Sequence, residues 1–94
     1  MKQPSIYLLT NYSRSTLYIG VTGRLKERVW QHKNGTCEGF TNKYCVHYLV
    51  YYELHQNFRS AIEREKKLKK WKRAWKERLI SEFNPTWRDL YDEI

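Results

Sequence analysis

The sequence predicts an α/β fold: a small sandwich with a mainly antiparallel three-stranded sheet flanked by helices, in the order β-β-α-β-α-α. Three observations carry this expectation. Ile6 to Asn11, Thr16 to Thr22 and Val46 to Leu54 are rich in β-branched and aromatic residues and read as strands. Asn57 to Phe83 contains no Pro or Gly, is full of Lys, Glu, Arg, Leu and Ala, and reads as helix. A chain of 94 residues holds one hydrophobic core and not two, so residues 1–94 are expected to form a single domain.

Taken in order, the first two strands flank the polar Tyr12-Ser13-Arg14-Ser15, which predicts a β-hairpin. Gly23 breaks the second strand. RLKERVWQHK then sets Leu25, Val29 and His32 at i, i+4 and i+7, a helix of about ten residues stopped by Asn34-Gly35. Thr36 to Lys43 carries little periodicity. The near-continuous apolarity of VHYLVYYEL predicts a central, well-covered third strand. Asn57 to Phe83 is expected as two helices bending near Trp71 to Arg73 and ended by Asn84-Pro85. In the tail, Trp87, Leu90 and Tyr91 at i, i+3 and i+4 predict a short docking turn.

The 16% of aromatic residues supplies large buried areas and argues against disorder. No apolar run approaches the ~18 to 20 residues of a membrane span. Met1 to Ser13 lacks the long apolar core of a secretion signal, so a cytoplasmic protein without membrane contact is expected. Cys37 and Cys45 are too few for a disulfide scaffold and lack the paired spacing of zinc sites, so reduced thiols are expected.

A net charge of +8 points to a polyanionic partner, nucleic acid first. The charge is concentrated. Arg59 to Arg78 holds ten Lys and Arg against three Glu, a balance of +7, leaving +1 for the rest of the chain. Such a helical region is the footprint of phosphate contact, with Lys66, Lys69, Lys70 and Arg73 as the expected nucleic-acid contacts. A solvated helix face is the plain alternative, but it would carry more acidic partners.

Ala61, Leu68, Trp71, Trp75 and Leu79 follow at spacings of seven, three, four and four, one stripe expected to face the core. Glu65 occupies the missing step. An inward carboxylate is costly unless a cation, a metal or hydrogen bonds compensate it, so a structural ion pair with an inward Arg stands beside a functional role. Ser60-Ala61-Ile62-Glu63 has the spacing of a capping box, which gives Glu63 a structural task. Arg28 and His32, four apart on the first helix, share one surface, with Arg28 beside the apolar Leu25 and Val29. Arg and Glu converging on tyrosine-bearing strands suggest a phosphate site with one divalent ion. The bland reading is an Arg-Glu bridge with His32 as a helix C-terminal charge.

Several short motifs stand in a fixed order. Ser5-Ile6-Tyr7 occupies the place of Gly-Ile-Tyr, and ten residues separate Tyr7 from Tyr18 of Tyr18-Ile19-Gly20. Arg28 and His32 follow, then Thr41-Asn42-Lys43-Tyr44 before Leu49-Val50-Tyr51-Tyr52-Glu53, and Ala61 with Glu65. Lys76-Glu77-Arg78-Leu79-Ile80 and Asn84-Pro85-Thr86-Trp87 complete the series. In these elements the chain resembles the GIY-YIG nuclease superfamily, and specifically its small stand-alone members related to the amino-terminal nuclease domain of the excinuclease C subunit.

The resemblance implies a metal-dependent phosphodiesterase, an endonuclease acting on DNA ahead of RNA, with Mg²⁺ as cofactor and Mn²⁺ as a substitute. It implies that Tyr18 is the general base or water-positioning phenol, with Tyr7 its hydrogen-bonding partner. By the same likeness Arg28 holds the scissile phosphate, Glu65 is the single protein ligand of the metal, and His32 assists by hydrogen bonding or proton transfer. These residue types suit such chemistry. A free Tyr, with a pKa of ~10, acts as a base at neutral pH only beside positive charge or a metal-bound water. Arg contacts phosphate bidentately and keeps its proton. Mg²⁺ takes oxygen ligands and is satisfied by one carboxylate plus substrate phosphate.

For Tyr7 and Tyr18 to share a sheet face, directly paired residues must have positions summing to an odd number, as in a pairing of Asn11 with Thr16. Ser5 in place of the first Gly matters only if the backbone there needs a glycine conformation. Val21 stands where the excinuclease relatives carry Lys, and Lys43 is expected to substitute as a phosphate contact. Without a separate domain to read base edges, sequence preference is expected to be weak. A non-catalytic basic DNA- or RNA-binding module on the same fold is the main alternative. A protein-interaction domain presenting Trp71, Trp75 and Trp87 is the third.

Overall fold

The computed structural model describes residues 2–35 and 46–94. Strands β1 (Ser5–Thr10), β2 (Leu17–Thr22) and β3 (Tyr48–Leu54) form an antiparallel sheet in the order β2-β1-β3. The predicted α/β class and element order hold. β1 pairs with β2 through Ser5↔Thr22 to Thr10↔Leu17, and with β3 across one irregularity between Leu8 and Leu9.

The expectation of a central third strand is corrected. β1, buried along its whole length, is the middle strand, and β3 lies at an edge. β3 is nevertheless apolar because both its faces are covered, with Leu49 on one side and Val50 and Tyr51 on the other. Its outer edge is also closed by the tail: the Leu49 N–H donates to Asp89 Oδ1 (3.1 Å), and its carbonyl accepts from Leu90 N (2.8 Å). At Leu49 the polar backbone of this edge strand is thereby satisfied without a further strand.

Helix α1 (Leu25–Lys33) buries Leu25, Val29 and His32, the three residues its periodicity selected. Gly35 takes φ 67°, the left-handed conformation that lets the chain turn away after the helix. Helices α2 (Phe58–Lys70) and α3 (Arg73–Phe83) are separated at Trp71 and Lys72, whose ψ of 149° and 151° are extended, so the expected bend is a full break. Because the helix restarts there, the stripe does not continue in register. Trp71 and Leu79 pack against the core, Trp75 turns outward, and Ile80 is buried instead.

Two further expectations are corrected. The N-cap of α2 is Asn57, whose Oδ1 accepts from Ser60 N (2.8 Å). Asn57 is extended and starts the helix three residues before a Ser60 cap would allow. Glu63 is left exposed, pairing with Arg59 (3.4 Å). In the tail, Trp87 adopts φ 56°, which breaks the helical spacing. Trp87 packs on one side of the sheet and Leu90 on the other, and the turn is confined to Tyr91–Glu93.

The alternation along β1 divides the core. Ile6 and Leu8 join Ile19, Val50, Ala61, Leu68 and Ile80 under α2 and α3. Tyr7 and Leu9 join Leu25, Val29, Leu49 and Leu90 under α1 and the tail. Among the described residues no helix is long and apolar enough to cross a membrane.

Candidate active site

Tyr7 pairs with Gly20, and Leu9 with Tyr18. The paired positions sum to an odd number, so both tyrosines stand on the α1 face, as the shared-face requirement demands. Their ring centroids are 6.3 Å apart, and each lies near the imidazole of His32, at 5.7 Å from Tyr7 and 5.6 Å from Tyr18. Three rings from β1, β2 and α1 therefore form one triangle.

Gly20 makes room for it. A Cβ at this position would lie 2.5 Å from Tyr7 Cζ and 2.9 Å from Cε1, with Oη in contact as well. The phenol of Tyr7 thus crosses the strand at its backbone and reaches His32, with Oη 3.1 Å from Nε2. Both residues are buried.

Burial, then the charge of Arg28, then His47 hold the imidazole of His32 down at about pKa 4. It is neutral at physiological pH. The Nδ1–H of His47 donates to the His32 carbonyl (2.7 Å). The Nδ1 of His32 is a buried polar atom that lacks a hydrogen-bond partner among the described residues. Arg28, one turn earlier and half-buried, donates from Nη1 to Gln31 Oε1 (3.0 Å).

Glu65 stands apart from the triangle. It belongs to α2, on the other face of the sheet. Its side chain is 19% exposed, and its Oε1 lies 3.5 Å from Nζ of Lys69. Lys69 in turn lines a surface depression with Leu17, Tyr18, Ile19 and Lys76. Because β2 is an edge strand, this depression wraps its outer side and joins the Tyr18 face to the Glu65 helix. The structure therefore clusters Tyr7, Tyr18 and His32 and sets Arg28 on the adjacent turn, whereas Glu65 lies on the other face of the sheet, paired with a lysine that borders the depression beside Tyr18. Among the described residues no group of three His, Cys, Asp or Glu is placed to hold a metal ion. Glu65 would serve only a cation that accepts a single protein carboxylate, as Mg²⁺ does.

Lys66, Lys69 and Lys70 are exposed on α2. Arg73 has an internal engagement: Nε pairs with Glu77 (2.9 Å), Nη1 donates to the Ser15 carbonyl (2.9 Å), and Nη2 donates to that of Arg14. It ties α3 to the hairpin loop. Lys43 and the Thr41-Asn42-Lys43-Tyr44 motif, like Cys37 and Cys45, lie outside the described residues. Ser5 is buried in regular strand and its Oγ donates to the Gln3 carbonyl (3.0 Å), so no glycine conformation is required there.

Two polar groups, one half-buried and one buried, escaped the sequence reading. The inward Arg-Glu bridge that was one option for Glu65 is instead made by Glu53 and Arg64, with Nη2 donating at 3.0 Å and Nε at 3.2 Å to each oxygen. Tyr51 Oη and His55 also bond to Glu53. Burial pushes the Glu53 carboxyl up, but the bonds from Arg64, Tyr51 and His55 outweigh it and hold the group below its ordinary value. The signal was the lone carboxylate at the end of an apolar strand. Asn84, which is buried, donates from Nδ2 to the carbonyls of Val50 (3.2 Å) and Arg88 (2.8 Å). It locks the end of α3 to β3.

Comparison with known proteins agrees with this geometry. The family described as the GIY-YIG catalytic domain matches residues 3–78. The chain is similar to the UPF0213 protein CPE1444 of Clostridium perfringens (strain 13 / Type A), 38% identical over 76 residues that cover 81% of each chain. No solved structure matches the chain. With the two tyrosine signatures on adjacent strands, facing one side and converging on His32, the chain belongs to the GIY-YIG nuclease family.

Proposed function

We propose that this protein is a Mg²⁺-dependent endonuclease that hydrolyses the phosphodiester backbone of nucleic acid, DNA ahead of RNA, with weak sequence preference. The observation that carries the proposal is the triangle of Tyr7, Tyr18 and His32 in a chain of the GIY-YIG family.

Each residue takes a role suited to its surroundings. Tyr18, half-buried at the strand edge, presents its phenol to the attacking water. Tyr7 is buried and held by the neutral His32, which fixes the phenol and can take a share of its proton. Arg28 holds the scissile phosphate and meets the charge that develops on its oxygens. The donor set fits Mg²⁺: Glu65 is a single carboxylate whose cationic neighbour, Lys69, is 56% exposed and free to swing out. When bound, the divalent cation supplies positive charge to the phosphate oxygens in the transition state. Lys66, Lys69 and Lys70 hold the flanking backbone through salt-sensitive contacts.

The test is incubation of the protein with labelled DNA and RNA of several structures, with Mg²⁺, Mn²⁺ or EDTA. Metal-dependent cleavage is expected, with a loss of about 100-fold or more for Glu65→Ala and Tyr18→Phe. Absence of metal-dependent cleavage, or cutting by both variants at the wild-type rate, refutes the hydrolase. Salt-dependent binding that survives Glu65→Ala without any cleavage identifies a binding module instead.

A further inference from the structure

The break between α2 and α3 creates a feature that the proposed reaction does not use. With Trp71 and Lys72 extended, the indoles of Trp71 and Trp75 meet almost perpendicularly, their centroids 6.1 Å apart and their planes at 81°. Trp71 packs against the core and has a structural reason to be there. Trp75 does not: it is 46% exposed. The two rings, with Arg78, Leu79 and Glu82, line a cavity of about 350 Å³, near the lower end of the range for small-ligand pockets.

The surroundings select the occupant. Lys72 Nζ stands 5.7 Å from the Trp75 ring, and the exposed Arg78 lines the cavity; Arg64, whose Cζ is 5.2 Å from the Trp71 ring, is already paired with Glu53. The corner lies inside the segment from Arg59 to Arg78 that carries +7 of the chain's net +8. An apolar side chain of a protein partner would find the rings but not use the cations. A nucleotide uses both: its base stacks on one indole with its edge against the other, and its phosphate meets Lys72 and Arg78. Glu82 adds a carboxylate able to accept from an exocyclic amino group. Lys76, next to Trp75 in the chain, lines the depression that contains Tyr18 and Lys69.

We propose that the Trp71–Trp75 corner binds an unpaired nucleobase, so that the protein prefers nucleic acid with a single-stranded segment beside the site of cleavage. This rests on the nucleic-acid partner proposed above. A base inside a duplex is already stacked and cannot enter the corner.

The test is binding of labelled single strands and of blunt duplex of the same sequence to the full chain in EDTA, where cleavage does not intervene. Trp75→Ala is expected to weaken single-strand binding about 5- to 150-fold, with the salt dependence unchanged because no phosphate contact is removed. Trp75→Phe should retain most of the affinity, and duplex binding should change by less than about twofold. A 2-aminopurine placed in the single strand should be quenched by wild type and not by Trp75→Ala. Trp30→Ala, which removes another indole, 50% exposed on α1, is the comparison. Equal loss on single strand and duplex, no loss on either, or a loss as large from Trp30→Ala overturns the proposal. Trp75-dependent single-strand binding without metal-dependent cleavage would refute the hydrolase and leave the corner standing. Cleavage with no Trp75 dependence would do the reverse, and failure to bind any strand would remove both.

Discussion

Replacing Gly20 by Ala tests how the tyrosine pair is built. Gly20 does not take a positive φ, so Ala is allowed by the backbone and any cost is steric. The added Cβ would sit 2.5 Å from Tyr7 Cζ and 2.9 Å from Cε1, where ordinary contact needs about 3.5 to 4 Å. Tyr7 is only 1% exposed and its Oη is held 3.1 Å from His32 Nε2, so the ring has no open side to move into. Overpacking of this kind costs about 1–3 kcal/mol, and the broken hydrogen bond leaves buried polar atoms that cost about 1–3 more. Partial relaxation brings the expected loss to about 2–4 kcal/mol, a large share of the stability of so small a domain. Urea unfolding followed by tryptophan fluorescence measures it. The background variant makes the test specific. In Tyr7→Phe the clash with Cζ persists, so Gly20→Ala should remain costly; in Tyr7→Leu the offending atoms are gone and the same change should cost less than about 0.5 kcal/mol. A small cost in wild type, or an equal cost in the Tyr7→Leu background, refutes the reasoning.

Three further outcomes are expected. His32 is held at about pKa 4 against an ordinary 6.5, so between these values the unfolded chain binds a proton that the folded chain refuses. Stability should be full above pH 6.5 and fall on acidification towards pH 4, by about 3 kcal/mol, in urea titrations across that window; His32→Gln should flatten the slope. Asn84→Ala leaves the carbonyls of Val50 and Arg88 without their side-chain donor and should cost about 2–3 kcal/mol in the same unfolding assay. Asn57→Ala should cost about 1 kcal/mol as a lost helix cap, whereas Glu63→Ala should change the unfolding midpoint by less than about 0.5 kcal/mol in free energy.

Period and parity made much of the fold legible. The positions of Tyr7 and Tyr18 became a statement about one sheet face once an odd register was required, and the i, i+4, i+7 set of α1 selected Leu25, Val29 and His32 correctly. What failed depended on contacts distant in sequence. β3 looked central because strand apolarity measures coverage, not pairing, and here the tail closes the outer edge through Asp89 and Leu90. The capping box read at Ser60 failed because the extended backbone at Asn57 starts α2 three residues earlier. The stripe through Trp75 assumed an unbroken helix, which the extended Trp71 and Lys72 interrupt.

The same limit explains Glu65. Periodicity said that this carboxylate turns inward but could not say towards which part of the sheet. The answer is set by its neighbour. Successive helix residues point about 100° apart, so when Arg64 is fastened to Glu53 on β3, Glu65 must turn elsewhere. α2 packs against β1 and β2, and Glu65 meets Lys69, which borders the depression beside Tyr18 on β2. The bonds from Arg64 agree with the rotation that the buried Ala61 and Leu68 give the helix. A half-buried ion pair of this kind gives little net stability against an apolar replacement, but removing one partner leaves the other charge uncompensated. Glu53 and Arg64 thus stand to Glu65 as Gly20 and His32 stand to Tyr7: in each case neighbouring residues orient a side chain of the proposed site.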